Sequence, residues 1–96
     1  MVDKSATVTI EVPRPLRPFC DDRTELFLSA TSVRGALAEL GRLYPELYRN
    51  VCDETGAVRR HVNVFVNSAY IRDREGLDTA LEPGDVLAIF PAVSGG

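Results

Sequence analysis

Few residues of this chain have the type and spacing to do chemistry. His61 is the one histidine, so no His pair can share a metal or relay a proton. Cys20 and Cys52 lie far apart and form no Cys-x-x-Cys. With His61 they fall short of a four-ligand zinc site unless carboxylates help, and they are too few for an iron–sulfur cluster. They read as two free, partly buried thiols in a reducing compartment, with a disulfide as the alternative. The adjacent aspartates Asp21-Asp22 could do acid–base work if a pocket split their pKa values. They stand in a proline-rich stretch and read as a solvated loop. No Gly-x-Ser-x-Gly, phosphate-binding glycine loop or His-Glu-x-x-His occurs. No catalytic residue and no metal ligand is predicted.

What remains is Ser94-Gly95-Gly96. A glycine pair at a chain end can be nothing more than frayed, permissive backbone. Its context suggests more. It follows the last predicted strand by a few residues, and without Cβ atoms such a tail can thread a narrow tunnel. An unperturbed α-carboxyl has a pKa of about 3.3–3.7, so a Gly96 carboxylate is ionised and able to attack phosphorus.

The elements that would position that tail follow from hydrophobic spacing. Thr7 to Val12 alternates, with Val8, Ile10 and Val12 on one face, and predicts a half-buried strand. Pro13, Pro15 and Pro18 interrupt any ladder after it. Glu25 to Ser29 predicts a second strand, with Leu26 and Leu28 on one face and Phe27 on the other. The two would form a long-looped hairpin. Thr31 or Ser32 can cap a helix whose stripe is Val33, Ala36, Leu37, Leu40, Leu43 and Tyr44. Pro45 stops it. Leu47, Tyr48 and Val51 suggest a short helical turn, and a loop follows through Asp53 to Gly56. His61 to Asn67 predicts a third strand, with Val62, Val64 and Val66 on one face and Phe65 on the other. Ala69 to Arg72 is a short strand after an Asn67-Ser68 turn. Glu82-Pro83-Gly84-Asp85 is a tight turn. Val86 to Phe90 is the last strand, with Leu87 and Ile89 on one face and Val86, Ala88 and Phe90 on the other. Pro91 is expected to end its ladder.

This order predicts an α+β roll: a mixed four- to five-stranded sheet covered by one main helix. Residues 1–91 form the domain, and residues 92–96 are its flexible tail. The chain has 96 residues, 45% of them hydrophobic and 26% charged, which suits one soluble domain. Eleven basic residues against 14 acidic give a net charge of −3, without the basic stripe that nucleic-acid binding requires. No stretch is long enough for a membrane span, and Met1 to Thr7 lacks the apolar core of a signal peptide. The expectation is a cytoplasmic protein that is a monomer when free.

The element order and the diglycine together resemble the ubiquitin-like β-grasp fold, and within it the ThiS/MoaD family of sulfur carriers. Gly84-Asp85-Val86, then Ile89-Phe90-Pro91-Ala92-Val93-Ser94-Gly95-Gly96, is similar to that family's terminal pattern GD-x-V-x-x-x-P-P-V-x-GG. Leu87 stands at the pattern's valine, after Val86, and Ala92 replaces the second proline. Pro91-Ala92-Val93, with Val62 to Asn67, Arg72 and Gly76-Leu77 upstream, is similar to the carriers of cysteine biosynthesis. The resemblance implies that an E1-like enzyme uses ATP to adenylate Gly96, with Gly95 beside it. A sulfur donor then leaves a thiocarboxylate, which a second enzyme spends on a metabolite. Cysteine or a sulfur-containing natural product is favoured, with molybdopterin and the thiamine thiazole also open. The chain would be a protein cosubstrate rather than an enzyme and would bind no cofactor itself.

Such a carrier must dock on an activating enzyme and on a sulfur-accepting one. Phe27, Phe65 and Phe90 fall opposite the predicted core face and would form an apolar binding patch. Pro91, Val93 and Ser94 would enter the partner with the tail. Two other readings use the same residues. One is a ubiquitin-like modifier joined to target lysines through Gly96. The other is a β-grasp interaction module in which the diglycine is incidental.

Overall fold

The computed structural model describes residues 7–91. Strand β1 (Thr7–Glu11) carries the alternation seen in the sequence, with Val8 and Ile10 buried. Its antiparallel partner β2 (Glu25–Ser29) buries Leu26 and Leu28. Between them, Arg14–Cys20 is not an open loop but a 3-10 helix that buries Leu16 and Cys20. Proline's fixed φ, near −65°, suits that helix as well as it disrupts a ladder. Asp21 and Asp22 follow it in the left-handed region, at φ 58° and 60°, and both are exposed.

Helix α1 (Val33–Leu43) begins where Ser32 Oγ accepts the Gly35 N–H at 3.0 Å. Such a cap is worth about 1 kcal/mol. Val33, Ala36, Leu37 and Leu40 face the sheet and are buried. Leu43, expected in the same stripe, is instead 45% exposed. It lies at the stripe's edge on the last turn, just before the chain enters the next helix. Pro45 both stops α1 and opens α2 (Pro45–Val51), where its missing N–H is harmless. A Cβ on Gly41 would lie 3.0 Å from the Tyr48 ring, so a side chain there would have to push that ring aside where α1 and α2 meet.

Strand β3 (Val62–Val66) turns through Asn67-Ser68 into β4, which is only Ala69–Tyr70. Ile71 and Arg72, expected in that strand, lie in a 3-10 turn over Ile71–Asp73 that buries Ile71. A second such turn spans Gly76–Asp78. Strand β5 (Val86–Pro91) completes the sheet. The strand order is β2-β1-β5-β3-β4, with β5 parallel to β1 and antiparallel to β3. Pro91 does not fall outside the ladder; it pairs in register with Val62. Proline has lost a donor but keeps its carbonyl.

The expected α+β roll, with a mixed sheet and one main helix, is therefore the observed fold. Leu37 and Leu40 share one buried cluster with Val8, Ile10, Leu28, Val64, Leu87 and Ile89. Cys20 and Cys52 are both buried free thiols. Burial pushes the Cys52 thiol up to about 11 and raises that of Cys20 as well. Among the described residues no helix is long and apolar enough to cross a membrane.

Candidate docking face

The face of the sheet away from α1 is open. On β5 it carries Val86, Ala88 and Phe90, and the start of that strand is fixed by a small polar network. The turn Glu82 to Asp85 closes with the Asp85 N–H on the Glu82 carbonyl at 3.0 Å, and Gly84 supplies φ +88°. The Asp85 carboxylate accepts the Glu82 N–H and the Asn67 side-chain amide, each at 2.8 Å. Asn67 Oδ1 in turn accepts the Val86 N–H at 2.9 Å. The Gly84-Asp85-Val86 part of the terminal pattern is thus a turn-building device that sets β5 against β3.

Cross-strand register decides which outward side chains meet. Glu25 opposes Glu11, Phe65 opposes Ala88, and Tyr70 opposes Phe65. Glu11 also pairs with Ala88, so one row crosses all five strands: Glu25, Glu11, Ala88, Phe65, Tyr70. The small Ala88 side chain leaves a hollow of about 610 Å³ walled by Phe65, Val86, Phe90 and Glu11. A second hollow, of about 370 Å³, lies beyond Phe90 and is lined by Glu11, Glu25, Val12 and Arg17. Phe90 borders both and is 50% exposed.

Phe65 and Phe90 are brought together as expected, in an edge-to-face contact with centroids 5.6 Å apart. Phe27 is not part of that contact. It is 67% exposed on the same face, but its row runs through Thr9 and Val86. Tyr70 is the aromatic that sequence reasoning missed. Its ring stacks on Phe65 at 5.2 Å, its hydroxyl donates to Asn63 Oδ1 at 3.0 Å, and the Arg72 guanidinium lies 5.6 Å from its centroid. A signal for it was present, because a two-residue turn at Asn67-Ser68 dictates that Tyr70 faces Phe65. His61 is exposed just before β3. Pro91 is half-buried at the end of β5. Val93, Ser94, Gly95 and Gly96, with the tail assigned to 92–96, lie outside the described residues.

An aromatic cluster whose exposed member, Phe90, lies on the strand that leads into the tail can dock the body on a partner. Comparison with known proteins bears on that arrangement. A model of the ThiS family matches residues 10–96, which includes the diglycine. The sulfur carrier protein CysO of Mycobacterium tuberculosis is 32% identical over 91 residues, covering 93% of this chain and 98% of that protein. A chain of the Amycolatopsis orientalis BexX/CysO complex superimposes with a TM-score of 0.80 at 30% identity, covering 93% of this chain and 99% of that one. The small archaeal modifier protein 1 of Methanosarcina acetivorans gives a TM-score of 0.82 at 33% identity, covering 96% of this chain and 98% of that one.

Proposed function

The chain belongs to the ThiS family and has its ubiquitin-like β-grasp fold; from that premise we propose that it is a sulfur carrier protein working through Gly96. The observation that carries this reading is the family match, which runs through the last strand and on to Gly95-Gly96. The likeness to CysO, over nearly the full length of both chains, points to cysteine or a related sulfur metabolite as the destination.

In this reading a Gly96 carboxylate oxygen attacks the α-phosphorus of ATP on an E1-like enzyme, and pyrophosphate leaves. Hydrosulfide from a sulfur donor then attacks the carbonyl carbon of the acyl-adenylate. AMP leaves, one proton is released, and a thiocarboxylate remains. Its sulfur, a better nucleophile than carboxylate oxygen, displaces a leaving group from a metabolite on an accepting enzyme, and water then cleaves the resulting thioester, freeing the product thiol and restoring the Gly96 carboxylate. ATP and sulfur donor are bound by the partner enzymes; this chain supplies the reacting carbon and the docking surface. Phe65 and Phe90 form the centre of that surface, Phe27 is an outlying contact, and Pro91, Val93 and Ser94 lead the tail into the partner. The BexX/CysO complex is a precedent for a CysO protein held by a partner.

The test is the mass of the tryptic peptide Glu75 to Gly96 after incubation with ATP, an E1-like enzyme from the same cell and sulfide. That peptide contains no Met or Cys, so thiol or thioether oxidation cannot imitate the exchange. The expected result is a gain equal to one oxygen replaced by sulfur, localised to Gly96. An unchanged peptide, with the enzyme active on another carrier, refutes the reading. The likeness to small archaeal modifier protein 1 favours a second reading, conjugation to target lysines through Gly96. An isopeptide adduct in place of the sulfur exchange would select it.

A further inference from the structure

Glu11 and Glu25 stand directly opposite one another across the β1–β2 ladder, and both are exposed on the open face. Like charges at opposed positions lower stability. No ion pair among the described residues relieves them. Arg17 lines the same hollow and donates its Nε–H to the Val12 carbonyl at 3.0 Å, without an ion pair to either carboxylate. The two carboxylates continue the row that holds Ala88, Phe65 and Tyr70, and Glu11 borders both hollows beside Phe90. At the other end of the row Arg72 lies over Tyr70. That row therefore runs from a carboxylate pair on β1–β2, through an apolar middle, to one guanidinium over Tyr70.

We propose that this face receives, from the activating enzyme, a segment that seats an apolar side chain beside Ala88 and presents an arginine or lysine to the Glu11–Glu25 pair. The inference rests on the carrier reading and adds to it the chemistry of the partner's contact. Charge complementarity selects the occupant. A basic residue removes the cross-strand repulsion as it docks, whereas an acidic segment would add to it. An apolar anchor alone would give a contact indifferent to salt; the carboxylate pair makes encounter screened and salt-dependent.

The experiment is ATP–pyrophosphate exchange by the E1-like enzyme from the same cell, with this carrier as the varied substrate, at about 50 and 300 mM NaCl. The variant is Glu11→Gln with Glu25→Gln. Its control is Glu39→Gln with Glu46→Gln, which removes the same charge from α1 and α2. The glutamine pair on the sheet is expected to unfold at higher urea than the parent, because the repulsion is gone. It is also expected to raise the carrier's KM about tenfold at low salt with kcat unchanged, and to flatten the salt dependence. A parental KM and salt slope overturn the inference and leave the carrier reading standing. An equal KM change in the helix control overturns it too, as an effect of net charge. A salt-sensitive dimer of the free carrier at assay concentrations would make a second copy the occupant, also against the inference. Absence of exchange with the parent overturns the carrier reading itself, and this inference with it.

Discussion

Asp85→Ala separates a turn-building role from a contact role for the aspartate of the terminal pattern. The substitution removes two hydrogen bonds, those from the Glu82 N–H and the Asn67 amide. A typical hydrogen bond contributes about 0.5–1.5 kcal/mol net. Both bonds are exposed, so the freed donors rehydrate and the lower half of that range applies, about 1–2 kcal/mol in all. For a domain of this size, 1 kcal/mol moves Tm by about 4–8 °C, so a fall of about 4–16 °C is expected by calorimetry or circular dichroism. Asn67→Gly removes the amide's bonds to both Asp85 and Val86, while glycine tolerates the φ of +48° found there. Because the two substitutions share one bond, their costs are expected to fall short of additive by about 0.5–1 kcal/mol. Asp85 precedes β5, and that strand's six residues rise about 3.3 Å each, so Asp85 stands roughly 20 Å from the strand's far end. Adenylation kinetics at 25 °C should therefore match the parent. A parental Tm with lost adenylation would refute the assignment and make Asp85 a partner contact.

Three further outcomes are expected. Phe90→Asp should raise the carrier's KM at least about tenfold in pyrophosphate exchange, since the ring's exposed half is worth about 1 kcal/mol on burial and a carboxylate there must also be desolvated; its melting should stay within a few degrees of the parent, and unchanged kinetics would refute the docking role. Leu40→Ala, at a fully buried site where α1 meets the sheet, should cost about 2–5 kcal/mol in urea titrations, a large share of a small domain's stability. Burial raises the Cys52 thiol to about 11 in the folded chain, so the stability this neutral thiol contributes is complete below the unfolded thiol's pKa and is lost as pH rises through about 11; urea midpoints should fall across that alkaline range, and less steeply in Cys52→Ala.

The strands and main helix were legible because each buries one face, which alternation and the helical stripe report directly. Val8, Ile10, Leu26, Leu28, Val62, Val64, Leu87 and Ile89 all lie on the face their spacing predicts. The Arg14–Cys20 helix was hidden because three prolines read as interruption, and the two side chains it buries, Leu16 and Cys20, do not repeat at its three-residue period. Leu43 shows the limit of a stripe, since the last turn of a helix can outrun the surface it covers. For the docking face, alternation placed Phe65 and Phe90 outward but could not supply the strand order. With β1 and β5 adjacent, Phe27 falls in a row with Thr9 and Val86, whereas Glu11 comes to lie beside Ala88.

The position of β5 has a mechanical consequence. The strand that leads into the tail is held by parallel β1 over Val86 to Ala88 and by antiparallel β3 over Leu87 to Pro91, with Leu87 and Ile89 buried beneath it. Tension applied to the tail runs along the strand and loads both ladders in shear. Their hydrogen bonds must then yield together instead of parting one by one, as they would in a hairpin peeled from its end. A partner pulling on the tail would therefore move the folded body as a single unit, without unravelling it.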